Sequence, residues 1–260
     1  MNEAKVITHI SDWLSSYAKK SRTNGFVIGI SGGIDSAVTS TLGARTGFPL
    51  ICVEMPIHQD EKQITRARNH IDWLMKNFSN VSVETTELTP IFDAFVNALP
   101  ASDRTQREMA LVNTRARLRM TTLYYFAALN NQLVLGTGNK VEDFGIGFYT
   151  KYGDGGVDLS PIADLNKTEV FALGKELEVI ESILTAAPTD GLWGDDRTDE
   201  DQIGASYPEL EWAMDFNGDK SSISDREKEV LSIYRRLNKA NQHKMEAIPV
   251  CEIPELLRKQ

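Results

Sequence analysis

Residues 25–36 read Gly25-Phe26-Val27-Ile28-Gly29-Ile30-Ser31-Gly32-Gly33-Ile34-Asp35-Ser36, a short apolar run that stops at two glycines and restarts at Asp35 with helical spacing. An apolar run of this length between polar segments suits a strand buried on both faces of a parallel sheet. Pro49-Leu50-Ile51-Cys52-Val53-Glu54-Met55 repeats the pattern, and Glu61 to Phe78 carries apolar residues at helical spacing. A third strand is expected at Val81-Ser82-Val83-Glu84, and a long helix over Leu111 to Leu129 before a strand at Gln132-Leu133-Val134-Leu135. Strands alternating with helices predict an α/β fold: a doubly wound, Rossmann-like parallel sheet flanked by helices. The first twenty residues read as an amphipathic helix, Thr168 to Leu177 as another, and Asp225 to Asn241 as a small C-terminal helical extension. No internal repeat or linker divides the chain, so one domain over residues 1–260 is expected.

Ligands of such sheets sit at the carboxyl ends of the strands, which directs attention to the loops after Ile30, Met55 and Leu135. The net charge of −9 gives no general basic field for a nucleic-acid backbone, so small-molecule partners are favoured and no nucleic acid is expected. No apolar run approaches the roughly 18 residues of a membrane span. The two cysteines, Cys52 and Cys251, form neither a CxxC motif nor a disulfide framework, which fits a cytoplasmic protein. His9, His58 and His70 form no zinc-binding cluster.

Ser31-Gly32-Gly33-Ile34-Asp35-Ser36 is a phosphate loop in physical terms. Two glycines admit a close backbone approach, successive N–H groups form an anion nest, and the following helix adds the positive end of its dipole. Asp35 would repel a bare phosphate, and its presence makes chemical sense if a magnesium ion bridges it to phosphate oxygens. A plain glycine turn with an aspartate in the first helical turn would use the same residues for geometry alone. The loop is neither GxxxxGK[ST] nor GxGxxG.

Ser31 to Ser36 resembles the SGGxDS loop of the PP-loop ATP pyrophosphatases, which split ATP between its α and β phosphates. That resemblance implies ATP binding by Gly29, Ile30, Ser31, Gly32, Gly33, Ile34, Asp35 and Ser36. Two further stretches, Gly136-Thr137-Gly138-Asn139-Lys140-Val141-Glu142 and Thr150-Lys151-Tyr152-Gly153-Asp154-Gly155-Gly156, narrow the resemblance to ammonia-dependent NAD synthetases. Membership would place Thr137, Lys167 and Thr189 on ATP, Asp35 and Glu142 on Mg2+, and Arg117, Lys151, Asp158, His243 and Lys244 on deamido-NAD. Asp35, Glu142 and Lys167 would then carry the catalysis. Asp190 to Gln202 resembles the family's closing loop. The chain departs from the commonest family spacing by one extra residue between Glu142 and Lys151.

The resemblance implies adenylation of the deamido-NAD carboxylate by ATP, loss of pyrophosphate, and attack by ammonia to give NAD and AMP, in a homodimer. Only about 24 residues precede the first strand, too few for a separate glutaminase domain, so free ammonia is the expected nitrogen source. Two other enzyme readings share the ATP loop, a GMP-synthetase-like amidotransferase and a tRNA thiolase, and an ATP-binding regulator without turnover is the non-enzyme reading. The Thr150–Gly156 stretch and the Gln242-His243-Lys244 segment speak against the first, and the acidic charge and absent cysteine set against the second. Asp35 and Glu142 together argue against the third.

Overall fold

The computed structural model describes residues 1–189 and 198–258. The chain opens with helix α1 (Glu3–Ser21), whose Asn2 side chain caps it by accepting from the Lys5 N–H at 3.1 Å. Its buried residues Ile7, Ile10, Leu14 and Ala18 fall three or four apart, so one stripe faces the core. There follow β1 (Phe26–Gly29), α2 (Ile34–Arg45), β2 (Leu50–Glu54), α3 (Glu61–Asn77), β3 (Val81–Thr85), α4 (Thr89–Ala98), α5 (Arg107–Asn130) and β4 (Leu133–Val134).

The four strands form one parallel sheet in the order β3-β2-β1-β4, with Phe26 opposite both Leu50 and Leu133. The alternating residues of a strand point to opposite faces, and each face has its own core. Phe26, Ile28, Leu50 and Cys52 pack with α1, α2 and α3. Val27, Ile51 and Val53 pack with Phe92 of α4 and Ala127 of α5. Helices on both faces make this the doubly wound α/β sheet expected. The ladder of β4 is shorter than the run Gln132–Leu135 suggests. Leu135 still donates to the Val27 carbonyl at 2.9 Å, and on its other side it makes an isolated bridge to Leu159, where the Asp158 carboxylate accepts the Val134 N–H at 2.8 Å. β3 forms one edge and is largely exposed, with Glu84 and Thr85 turned to solvent, a polar composition that discourages edge-to-edge pairing.

Beyond the sheet come a π-turn (Val141–Ile146), α6 (Lys167–Glu176), α7 (Glu181–Leu184), α8 (Asp199–Ile203), α9 (Tyr207–Asp215) and α10 (Asp225–Met245). The last three build the C-terminal helical extension. They share a third core of Ile203, Tyr207, Leu210, Ala213, Val230 and Leu231 with Val141 and Ile146 of the π-turn. The extension is thereby packed against the segment that carries Glu142. Among the described residues no helix is long and apolar enough to cross a membrane.

Candidate active site

The loop after β1 is shaped by its own side chains. The Ser36 hydroxyl donates to the Gly33 carbonyl at 3.0 Å and lies 3.1 Å from Ser31 Oγ, which itself accepts the Gly33 N–H at 3.2 Å. The two serines therefore brace the nest. The first N–H groups of α2 have no acceptor within the helix and face the cavity at the strand ends. Gly32 is held at φ 81°, and a Cβ there would strike the Gln63 carbonyl of α3 at 2.8 Å, so only glycine lets α3 cross this close. Gly33 is open by comparison, with Ser31 Oγ at 3.4 Å as its nearest obstacle.

A cavity of about 670 Å³ opens over this loop, lined by Gly29 through Ser36, Thr137, Glu142, Lys167, Thr189 and Lys244 among others. Every residue that the sequence reading assigned to ATP and metal is thus on one wall or another of the same chamber. Its centre is an ion cluster. The Lys167 ammonium donates to Asp35 Oδ2 at 2.5 Å and to Glu142 Oε1 at 3.0 Å, and sits 4.7 Å from the centre of the Tyr207 ring. Lys167 begins α6, where the helix dipole disfavours a cation; the two carboxylates offset that cost. Asp35 lies in the first turn of α2, where the dipole favours it.

Burial pushes the Lys167 ammonium towards neutrality, but the charges of Asp35 and Glu142 outweigh it and hold the proton on above the ordinary lysine range. Burial likewise works to raise the Glu142 carboxyl. Lys167, the Tyr207 hydroxyl at 2.6 Å and Asn139 overcome it, leaving Glu142 below the usual carboxylate range. Asp143, the next residue, has no such cation and is pushed up to about 7 by burial and by the charges of Glu142, Asp154 and Asp35.

Two members of this cluster escaped the residue-by-residue sequence reading. Asn139 is fully buried; its amide donates to Asp35 Oδ1 at 3.1 Å, and its carbonyl accepts the Val141 and Glu142 N–H groups, each at 3.1 Å. One side chain therefore ties the phosphate loop to the π-turn. Its position in the Gly136–Glu142 stretch was a usable signal. Tyr207 had none, since nothing near Ser206-Tyr207-Pro208 distinguishes it from a helix start.

The segment that runs from Glu142 towards Lys151 opens with the π-turn. The Gly147 N–H reaches back five residues to the Glu142 carbonyl, a ring one residue wider than the α-helical one. The carbonyls around this turn and its exit are gathered by α10: Asn238 donates to Gly145, Asn241 to Ile146, and Lys244 to both Gly147 and Tyr149, all at 2.8 Å.

The remaining substrate candidates lie apart from the chamber wall. Arg117 donates to the Lys151 carbonyl at 3.3 Å and the Lys151 ammonium to the His243 carbonyl at 2.6 Å, which links the three. Asp158 accepts from the Tyr124 hydroxyl at 3.0 Å and lines a separate open cleft with Trp13, Tyr17, Lys140 and Phe144. Of the expected closing loop, residues 190–197 lie outside the described residues, while Thr198 caps α8.

The donor set fits a magnesium-like ion. Among the described residues no trio of acidic, histidine or cysteine side chains gathers to form an all-protein cage. Asp35 and Glu142 instead offer two carboxylates within reach of one nitrogen, and Mg2+ is commonly held by one or two carboxylates with phosphates and water completing the shell.

Comparison with known proteins shows the family to which the chain belongs. The NAD synthase family model matches residues 6–248. The NH(3)-dependent NAD(+) synthetase of Carboxydothermus hydrogenoformans is 37% identical over 253 residues, covering 94% of this chain and 95% of the relative. The structure of NMN synthetase from Francisella tularensis superposes with a TM-score of 0.87 at 31% identity, over 97% of this chain and all of that one. An NH3-dependent NAD synthetase from Campylobacter jejuni, solved with a nitrate ion, gives 0.77 at 27% identity over 97% of this chain and all of that one.

Proposed function

The chain belongs to the NAD synthase family, and from that membership we infer a ligase that amidates deamido-NAD with ammonia at the expense of ATP. The observation that carries the reading is the convergence of Asp35 and Glu142 on the Lys167 ammonium beside the Ser31–Ser36 nest. A carboxylate resists ammonia until one of its oxygens becomes part of a good leaving group. The nest holds the β and γ phosphates of ATP and leaves the α phosphorus open to the nicotinate carboxylate. Pyrophosphate departs, ammonia attacks the acyl-adenylate carbon, and AMP carries away one carboxylate oxygen.

Lys167 and the loop N–H groups stabilise charge on the departing pyrophosphate, with Thr137 and Thr189 orienting ATP. Asp35 and Glu142 hold Mg2+, which screens the phosphates when bound. The family resemblance assigns Arg117, Lys151, Asp158, His243 and Lys244 to deamido-NAD; Lys244 lines the chamber, Arg117, Lys151 and His243 are linked beside it, and Asp158 lies on the second cleft. The chain acts as one catalytic unit over residues 1–260. Its partner is a second copy, and exposed Tyr125 and Leu129 on α5 support that face as the contact. A cytoplasmic setting suits two free cysteines, of which buried Cys52 has its thiol pushed up to about 12 by burial.

The test is turnover by the purified chain with deamido-NAD, ATP, magnesium and ammonium. NAD and AMP should appear in equal amounts, and glutamine freed of ammonium should not replace ammonia. Absence of NAD formation would overturn the reading. The likeness to an NMN synthetase supports a second acceptor, nicotinate mononucleotide. A kcat/KM higher for the mononucleotide than for deamido-NAD would transfer the substrate assignment to it.

A further inference from the structure

Four cationic side chains line the chamber among the described residues: Arg66, Arg119, Lys167 and Lys244. Three are engaged by the protein. Lys167 is shared between Asp35 and Glu142. Arg119 donates to the Met55 carbonyl at 3.0 Å and to Gln59 Oε1 at 2.7 Å. Lys244 donates to two backbone carbonyls. Arg66 differs. Its Nε is buried without a hydrogen-bond partner, and among the described residues no carboxylate pairs with its guanidinium.

An unsatisfied buried donor on a charged group is costly, and the fold places this one beside the phosphate loop. Arg66 sits on α3 where that helix crosses Gly32; a Cβ on Gly32 would lie 3.3 Å from Arg66 Cβ. The charge balance of the chamber points the same way. Lys167 is already outnumbered by the two carboxylates it holds, so even with the metal ion proposed on them, a polyphosphate in the nest gains from a further positive charge. A guanidinium offers paired N–H donors in a planar fork that matches phosphate oxygens.

We propose that Arg66 is a phosphate-binding residue of this site, closing the nest from the α3 side and gripping the pyrophosphate portion of ATP. The proposal rests on the reading of Ser31–Ser36 as the ATP loop. It assigns Arg66 to the part of the nucleotide that leaves, so ATP and pyrophosphate should feel its loss and AMP should not.

The experiment compares the wild type with Arg66→Ala and Arg66→Lys, verified as folded by circular dichroism. Calorimetry with magnesium measures the binding of ATP, pyrophosphate and AMP separately. Arg66→Ala should weaken ATP and pyrophosphate by about 10- to 100-fold, the scale of one or two charge-assisted hydrogen bonds, while AMP affinity changes by less than about twofold. Arg66→Lys should recover part of the loss. In turnover the KM for ATP should rise by more than kcat falls. Equal weakening of ATP and AMP would place the guanidinium on the nucleoside and overturn the proposal, as would unchanged pyrophosphate binding. If the wild type makes no NAD, the functional reading fails instead, and the pyrophosphate measurement still decides Arg66.

Discussion

Asp35 and Glu142 meet on one lysine but stand on segments built in different ways. Asp35 follows a loop whose shape is closed between Ser31 and Ser36 by two hydroxyls and the loop's own backbone. Glu142 stands on a π-turn whose carbonyls are held by Asn238 and Asn241, 93 and 95 residues further along. A locally closed loop should tolerate substitution wherever space is open and should pass the damage to ligand binding. A segment held from a distance should pass it to stability, because its partners also anchor the third core of the molecule.

Substitution at Gly147 gives the sharpest break. It lies at φ 65°, and a Cβ there would sit 2.4 Å from Asn241 Cβ. Left-handed strain and overpacking together predict a loss of about 3 kcal/mol for Gly147→Ala, read as a melting temperature lower by roughly 5–10 °C. A melting temperature within about 1 °C of wild type would show that α10 does not hold the turn rigidly.

The support behind the phosphate loop can be titrated. His70 of α3 is buried, stacked on Trp73 and 3.0 Å from Ser40 of α2, and burial lowers it from 6.5 to about 4. The unfolded chain takes up a proton near pH 6.5 that the folded one refuses until about pH 4. Stability from this group is therefore complete above the unfolded value and is lost as pH falls through the window, by up to about 3 kcal/mol. Denaturant titrations of wild type and His70→Gln should show a shallower pH dependence in the variant; identical slopes would remove His70 from the account.

The smallest effect on stability is expected at Gly33, where φ is −96° and the nearest obstacle to a Cβ is Ser31 Oγ at 3.4 Å. Gly33→Ala should cost no more than about 1 kcal/mol of stability while raising the KM for ATP several-fold. A variant that loses stability as Gly147→Ala does would erase the contrast between the two segments.

The same contrast explains what the sequence made legible. The strand, glycine pair and helix of residues 26–45 are set by neighbours along the chain, so apolar runs and turn chemistry revealed them and the cavity position of Asp35. The assignments of Glu142 to metal and of Lys167 to ATP came from resemblance; the structure gathers Asp35 and Glu142 on the Lys167 ammonium. The π-turn at Glu142 was not legible, because the amides of α10 that hold its carbonyls are announced by no local pattern. Asn139 and Tyr207 were missed for a related reason: a buried polar side chain is chosen by the partner it meets, and that partner is set by tertiary packing. Arg117, Lys151 and His243 group together, away from the chamber wall, and Asp158 faces its own cleft.

The central claim is that the Ser31–Ser36 nest leaves the α phosphorus of ATP exposed to the acceptor carboxylate. Deamido-NAD labelled with heavy oxygen in its nicotinate carboxylate tests it directly. Mass spectrometry of a completed reaction should find one labelled oxygen in AMP and none in pyrophosphate. ADP as the nucleotide product, or label in orthophosphate, would mean attack on the γ phosphorus and would contradict the account.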